Sequence, residues 1–156
     1  GQAAVQGHID RLVENGRDLV IVSDAPEECP LCEPWEGRVL SLTGQTPGYP
    51  TVDEARSSGL FHPNCRHSLG AYIPGLTETV PHGQTQDPDG YRERQHQRYL
   101  ERGIRKWKLR ASVAITDEAR REAQAHVRAW QARLREFVDE TDRKRLRYRE
   151  QIGRAR

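Results

Sequence analysis

Two short stretches hold the residues whose types and spacing could do chemistry. Cys29-Pro30-Leu31-Cys32 sets two thiols three positions apart, and His62-Pro63-Asn64-Cys65-Arg66-His67 adds two imidazoles and a third thiol. Zinc takes four soft or borderline donors in a tetrahedron, and cysteine and histidine supply them. The C-x-x-C spacing is that of a knuckle, a tight turn that aims both sulfurs at one point. Cys65 supplies a third thiolate, and the fourth ligand is then His62 or His67. His62 makes an H-x-x-C turn that mirrors the first pair. His67 makes C-x-H, which works when both side chains leave one face of an extended segment. Spacing alone leans slightly toward His62. Five donors crowd one position, so the expected site is closed and structural, whereas a catalytic zinc keeps a place open for water.

Other chemistries fit these residues less well. A redox C-x-x-C opens a helix after a strand, but Pro30 and the following Glu33-Pro34-Trp35-Glu36-Gly37 read as a loop. His62, Asn64 and His67 supply the letters of an HNH-type nuclease, yet that chemistry spreads its histidines over a strand and a following helix, and this span is too compact. Asp24, Glu27, Glu28, Glu33 and Glu36 surround the knuckle and could imitate paired carboxylates for acid–base work. Beside three thiolates, a solvated acidic loop is the simpler reading. His8, His82, His96 and His126 are scattered and read as surface or internally satisfied histidines.

The elements that must position the donors follow from periodicity. Residues 2–15 put Val5, Ile9, Leu12 and Val13 on one helical face, and Gly16 reads as the stop. Residues 18–24 and 37–44 are short apolar runs that predict strands, with the knuckle in the connection between them. Thr51 followed by Glu54 predicts a capping box opening a short helix that ends at Gly59. Residues 68–75 predict a third strand closed by Pro74-Gly75. Trp35, Leu60, Phe61, Leu69 and Tyr72 are expected to pack around the metal. A mixed unit of about 75 residues with few large apolar side chains is near the size where metals or disulfides become necessary.

Residues 76–90, rich in Pro, Gly, Thr and Asp, read as a linker, and from Tyr91 the character changes. Leu100, Ile104, Trp107, Ala111 and Ala114 recur at helical spacing, as do Ala119, Ala123, Val127, Trp130, Leu134 and Phe137, after Thr116 as N-cap. Two long helices joined near 112–116 predict an antiparallel hairpin, with Trp107 and Trp130 meeting between them. Gly103 weakens the first helix by about 1 kcal/mol relative to Ala and invites a kink there. The basic tail after residue 141 is expected to fray at its end. The fold class is thus α+β: a zinc-stapled domain with a short sheet (1–75), a linker (76–90) and a basic helical hairpin with its tail (91–156).

Composition supports two unlike parts. Of the 156 residues, 35% are hydrophobic and 31% charged, and mean hydropathy is −0.90, too polar for a thick core along the whole length. Residues 1–90 carry 13 acidic side chains against 5 basic, and residues 91–156 carry 10 against 20. No run of apolar residues is long enough to span a membrane, so no membrane partner is expected. Three cysteines, two of them in C-x-x-C, favour metal chemistry in a reducing compartment over a disulfide framework. Residues 92–110 hold eight Lys/Arg against two Glu, with Tyr99 and Trp107 interleaved. Such a stripe suits acidic protein or, without sequence readout, nucleic-acid phosphates.

Taken together, Val22-Ser23-Asp24, Cys29 to Gly44, Glu54-Ala55, Gly59 to Gly75, and the helical stretches at 91–112 and 127–138 resemble the C-terminal region of tailed-phage minor capsid proteins. The resemblance is to phage minor capsid protein 2 and, more distantly, to the Mu F-like head morphogenesis proteins, and it covers roughly residues 18–150. It implies a structural, non-enzymatic head protein inside the virion, assembled in the host cytoplasm, near the portal and packaged DNA. Its partners would be portal or major capsid protein, with DNA contact through residues 92–110. In Mu F-like relatives the place of His67 is often cysteine, which pulls toward His67 as the fourth ligand, so His62 and His67 both stay open. Some relatives carry fused protease or toxin domains. These residues show neither signature, and any such activity is expected before Gly1. The rival functions are a sequence-independent nucleic-acid-binding module and a zinc-dependent nuclease.

Overall fold

Val5, Ile9 and Leu12 line the buried side of helix α1 (Gln2–Glu14) in the computed structural model, which describes residues 2–79 and 87–153. Val13, one position on, is turned off that stripe and stays 43% exposed, because each helical step rotates the side chain by about 100°. The helix stops where predicted. Gly16 takes φ +67° while the amide of Arg17 donates back to the Leu12 carbonyl, as in a Schellman end. Contacts divide the chain into two compact units, residues 1–91 and 92–156.

The first unit holds three strands, β1 (Leu19–Val22), β2 (Val39–Ser41) and β3 (Leu69–Ala71). They form one antiparallel sheet in the order β2-β1-β3. Val20 and Val22 alternate inward on the central strand and are almost wholly buried, as is Leu40 beside them. Helix α2 (Val52–Ser57) starts on the predicted box. Thr51 Oγ1 accepts from the Glu54 amide at 3.1 Å, and Glu54 returns a carboxylate to the Thr51 amide at 2.7 Å. Val52 and Ala55 carry its buried side into a core with Ile9, Val20, Val22, Leu40, Leu60, Phe61 and Leu69, against which Trp35 also packs. Tyr72 is half-buried outside that cluster. His8 Nε2 donates to the Leu69 carbonyl at 2.9 Å, tying α1 to β3.

The order of strands decides where the chemistry goes. β1 lies between its partners and antiparallel to both, so its C-terminal end meets the N-terminal ends of β2 and β3. Val22 faces Leu69, and Ile21 faces Val39. The knuckle-bearing connection enters β2 there, and the segment with His62, Cys65 and His67 enters β3 there. Two stretches thirty residues apart therefore converge at one end of a three-stranded sheet.

At the opposite end of β1, Asp18 organises the turn after β2. Its carboxylate accepts from Ser41 Oγ at 2.8 Å, from the Thr43 amide at 2.8 Å and hydroxyl at 2.7 Å, and from the Thr46 hydroxyl. Burial alone would push this carboxyl up. The Thr46, Thr43 and Ser41 donors outweigh it and hold it far below the ordinary range.

α3 (Pro88–Val113), which belongs to the second unit from Arg92 onward, and α4 (Asp117–Glu140) form the helical hairpin. α3 begins three residues before the expected Tyr91, because Asp87 caps it through the Gly90 amide at 2.8 Å. The middle of the expected linker, residues 80–86 with His82 among them, lies outside the described residues. Thr116 caps α4 by accepting from the Ala119 amide. Leu100 and Ile104 pack against Leu134 and Val138, with Trp130 and Phe137 alongside.

The expected kink and tryptophan pairing do not occur. α3 runs unbroken through Gly103, whose missing side chain makes room for the Trp130 indole. A Cβ there would lie 2.3 Å from Trp130 Cε3. Trp130 meets the Tyr99 edge at 5.3 Å between ring centres. Trp107 instead stacks on His126, with centres 3.8 Å apart and planes 13° apart. His96 lies 4.8 Å from the Phe137 ring.

The described part of the tail, up to residue 153, is anchored to the hairpin, and the end expected to fray, residues 154–156, lies outside the described residues. A 3-10 turn at Arg147–Glu150 returns along the hairpin. Arg145 grips Glu150 through two bonds at 2.6 and 2.7 Å, Gln131 adds a third donor to Glu150, and Arg105 donates to the Arg149 carbonyl. Gln97, 3% exposed, holds the start of the tail through the Lys144 carbonyl and Arg143.

Candidate metal centre

All five predicted donors meet at the end of β1. Their ligand atoms form two triads, Cys29–Cys32–His62 and Cys32–Cys65–His67, each with its atoms within 4.8 Å of one another and with Cys32 common to both. Cys29 and Cys32 are buried and Cys65 is half-buried. The three sulfurs are free thiols rather than a disulfide with a spare.

Local structure explains how each donor is aimed. The Cys29 carbonyl accepts the amides of Cys32 and Glu33, both at 3.0 Å, which closes the knuckle turn. Leu31, between the two cysteines, rests on Gly59. A Cβ on that glycine would lie 3.1 Å from Leu31 Cβ, and its φ of +108° also disfavours any larger residue. The chain then bends sharply at Phe61 (φ 60°) and Asn64 (φ 73°). A left-handed phenylalanine is strained by roughly 1–2 kcal/mol, and Phe61 offsets that by burying its ring to 6% exposure. Across the second bend, the Cys65 amide bonds the His62 carbonyl at 2.9 Å, forming the H-x-x-C turn.

Both imidazoles are braced to show a lone pair to sulfur. His62 Nδ1 lies 2.8 Å from the Pro63 carbonyl, which can only accept, so Nδ1 carries the proton. Its free Nε2 then faces Cys29 Sγ at 2.9 Å. His67 Nε2 is paired with the Glu36 carboxylate, which leaves Nδ1 facing Cys65 Sγ at 3.3 Å. Cys65 Sγ also lies 3.6 Å from Cys32 Sγ and accepts from the His67 amide at 3.4 Å.

The electrostatics are those of lone pairs packed faster than protons can serve them. A thiol hydrogen bond from Cys32 is the main influence that lowers the Cys65 pKa, with His67 assisting against burial. That same bond, then burial and the nearby Cys29, raises the Cys32 pKa. Burial works against a charged His67, but the Cys65 sulfur and the Glu36 carboxylate together raise its pKa. Burial raises the Glu36 pKa, His67 pulls it back, and a hydrogen bond with Asp24 raises it again. A divalent cation at this point would replace protons with a charge that all these donors can share.

Sequence reasoning assigned Glu36 to a solvated acidic loop, and the structure corrects that. Glu36 is 1% exposed and paired with His67. No local signal distinguishes it from Glu33. Glu27 follows the expectation more closely and pairs with Arg66 at 3.6 Å on the surface side.

Comparison with known proteins is consistent in kind. The family model described as phage minor capsid protein 2 matches residues 1–139. A structural protein of Lactococcus phage LL-H is 28% identical over 152 residues, covering 84% of this chain and 39% of that protein. A structural protein of Lactococcus phage mv4 is 30% identical over 112 residues, covering 62% of this chain and 85% of that protein. The chain thus spans well under half the length of the LL-H protein. No solved structure matches.

Proposed function

Because the chain belongs to the phage minor capsid protein 2 family, we propose that it is a structural, non-enzymatic part of a tailed-phage head, riveted by one zinc ion. The observation that carries the metal is the convergence of Cys29, Cys32, Cys65, His62 and His67, each imidazole already braced in the tautomer a ligand needs. Zinc bound there supplies a cross-link between the β1–β2 connection and the segment entering β3, and its binding energy becomes folding energy of the first unit. Donors in excess of four leave no vacancy for a substrate or an attacking water, which favours a rivet over a nuclease.

The helices supply the assembly surface. Arg98, Arg102, Lys106 and Arg110 recur every four residues along the unbroken α3 and form one basic row. This row suits an acidic face of portal or major capsid protein within the head. Packaged DNA is the second reading of the same row. Among the described residues no helix is long and apolar enough to cross a membrane, and nothing in the reading needs a lipid.

The test is metal content with paired unfolding. The purified chain should hold one zinc. A strong chelator should then abolish the thermal transition of the sheet and leave the hairpin's helical signal in place. No bound metal, or a sheet indifferent to the chelator, refutes the rivet. Random-sequence duplex DNA, titrated over a range of salt, separates the two partners. Binding whose logarithm falls steeply and linearly with log salt favours DNA, and its absence leaves the protein contact.

A further inference from the structure

Glu36 is an acidic side chain buried to 1% exposure on a connection where solvent is close at hand. Burying a carboxylate is costly unless it is paired, and the partner here is His67, itself 7% exposed. We propose that Glu36 is the positioning residue of the metal centre: it accepts a hydrogen bond from Nε2–H of His67, so keeps the proton on Nε2, turns the bare Nδ1 toward the Cys32 and Cys65 sulfurs, and makes His67 rather than His62 the fourth ligand. The inference rests on the zinc reading above and goes beyond it by naming the ligand and the group that orients it.

The sheet holds the pair in place from both flanks of β1. The Gly37 amide, directly after Glu36, donates to the Val22 carbonyl at 3.1 Å. The Ser23 amide donates to the Ser68 carbonyl, directly after His67, at 2.9 Å. Carboxylate and ring therefore face each other across one strand end and separate only if the strand pairing breaks. Nδ1 of the same ring sits 3.3 Å from Cys65 Sγ, on the side opposite Glu36. His62 is braced differently. It is half-exposed, and its Nδ1 partner is the carbonyl of its own neighbour Pro63, on a surface bend. A carboxylate behind a ligating histidine fixes the tautomer and raises ligand basicity, and its loss typically weakens metal binding about 10–100-fold.

The test uses the full chain, with zinc titrated in competition against a chromophoric chelator, for wild type, Glu36→Gln, His62→Ala and His67→Ala. Nitrogen-15 spectra of the zinc-loaded imidazoles read the tautomers directly. Glu36→Gln should weaken zinc by about 10–100-fold and blur the His67 tautomer, and Glu36→Asp should restore part of both. His67→Ala should lose the tight site, and His62→Ala should keep it. A merely structural Glu36 would lower the unfolding temperature yet leave the affinity and the His67 tautomer of the folded protein unmoved, and that outcome overturns the inference. So does loss of zinc from His62→Ala with retention in His67→Ala. Wild type binding no zinc overturns this inference and the rivet together, whereas wild type binding zinc as tightly as Glu36→Gln overturns this inference alone.

Discussion

Replacing Gly103 by alanine sets two well-understood effects against each other. In a helix interior the change should stabilise by about 1 kcal/mol, because alanine loses less backbone entropy on folding. The structure opposes that gain. The new Cβ would lie 2.3, 2.5 and 2.7 Å from Cε3, Cζ3 and Cδ2 of Trp130, all within the fused part of a rigid indole rather than at a flexible tip. Relief requires moving the ring away from the Tyr99 edge or parting the helices around Leu100, Ile104 and Leu134. Overpacking of this kind costs about 1–3 kcal/mol, so the net expectation is destabilisation of up to about 2 kcal/mol.

The assay is urea unfolding followed by circular dichroism at the helical band, to which α3 and α4 contribute 26 and 24 residues. Hydrogen exchange of α3 amides serves as a check local to this unit. The double-mutant cycle is the sharper measurement. With Trp130 already replaced by alanine, Gly103→Ala should become stabilising by about 1 kcal/mol. A Gly103→Ala protein more stable than wild type, or the same sign in both backgrounds, refutes the reasoning.

Two further predictions concern carboxylates. Asp18→Asn should destabilise the first unit by about 1–2 kcal/mol, since several donors then face a neutral amide and the site is only half-buried; urea midpoints of the sheet check it. Because the folded Asp18 carboxyl lies below its ordinary value of 3.8, its contribution is fully present above that value and disappears as the solution is acidified further, and Asp18→Asn should flatten this part of the acid profile. Glu150→Gln should release the tail, because the Arg145 grip that chiefly lowers the Glu150 pKa weakens. Amides of residues 147–151 should exchange faster while those of α4 hold, and wild type should lose the same protection on acidification, since a lowered carboxyl stabilises only while ionised.

The local grammar of this chain was legible before any fold was known. Thr51 with Glu54, Thr116 before α4, and Gly16 after α1 mark element ends because a cap acts on backbone groups within one turn of itself. The three short strands declared themselves by apolar runs, and the donors by type and spacing. That all five donors meet could be guessed because a metal site demands neighbours that the sequence displays. What only the tertiary structure decided are pairings between residues far apart in the chain, fixed by strand register and helix packing rather than by any nearby signal. Glu36 looks like its acidic neighbours until β1 brings it against His67. Gly103 looks like a weak point until Trp130 lies on it, and Trp107 looks like a partner for Trp130 until the hairpin sets it on His126. Nothing within the basic tail announces that Arg105 and Gln131 will hold it. Caps and periodicity act over a few residues, whereas these contacts depend on how whole elements are set against one another, and nothing in a short stretch of sequence encodes that.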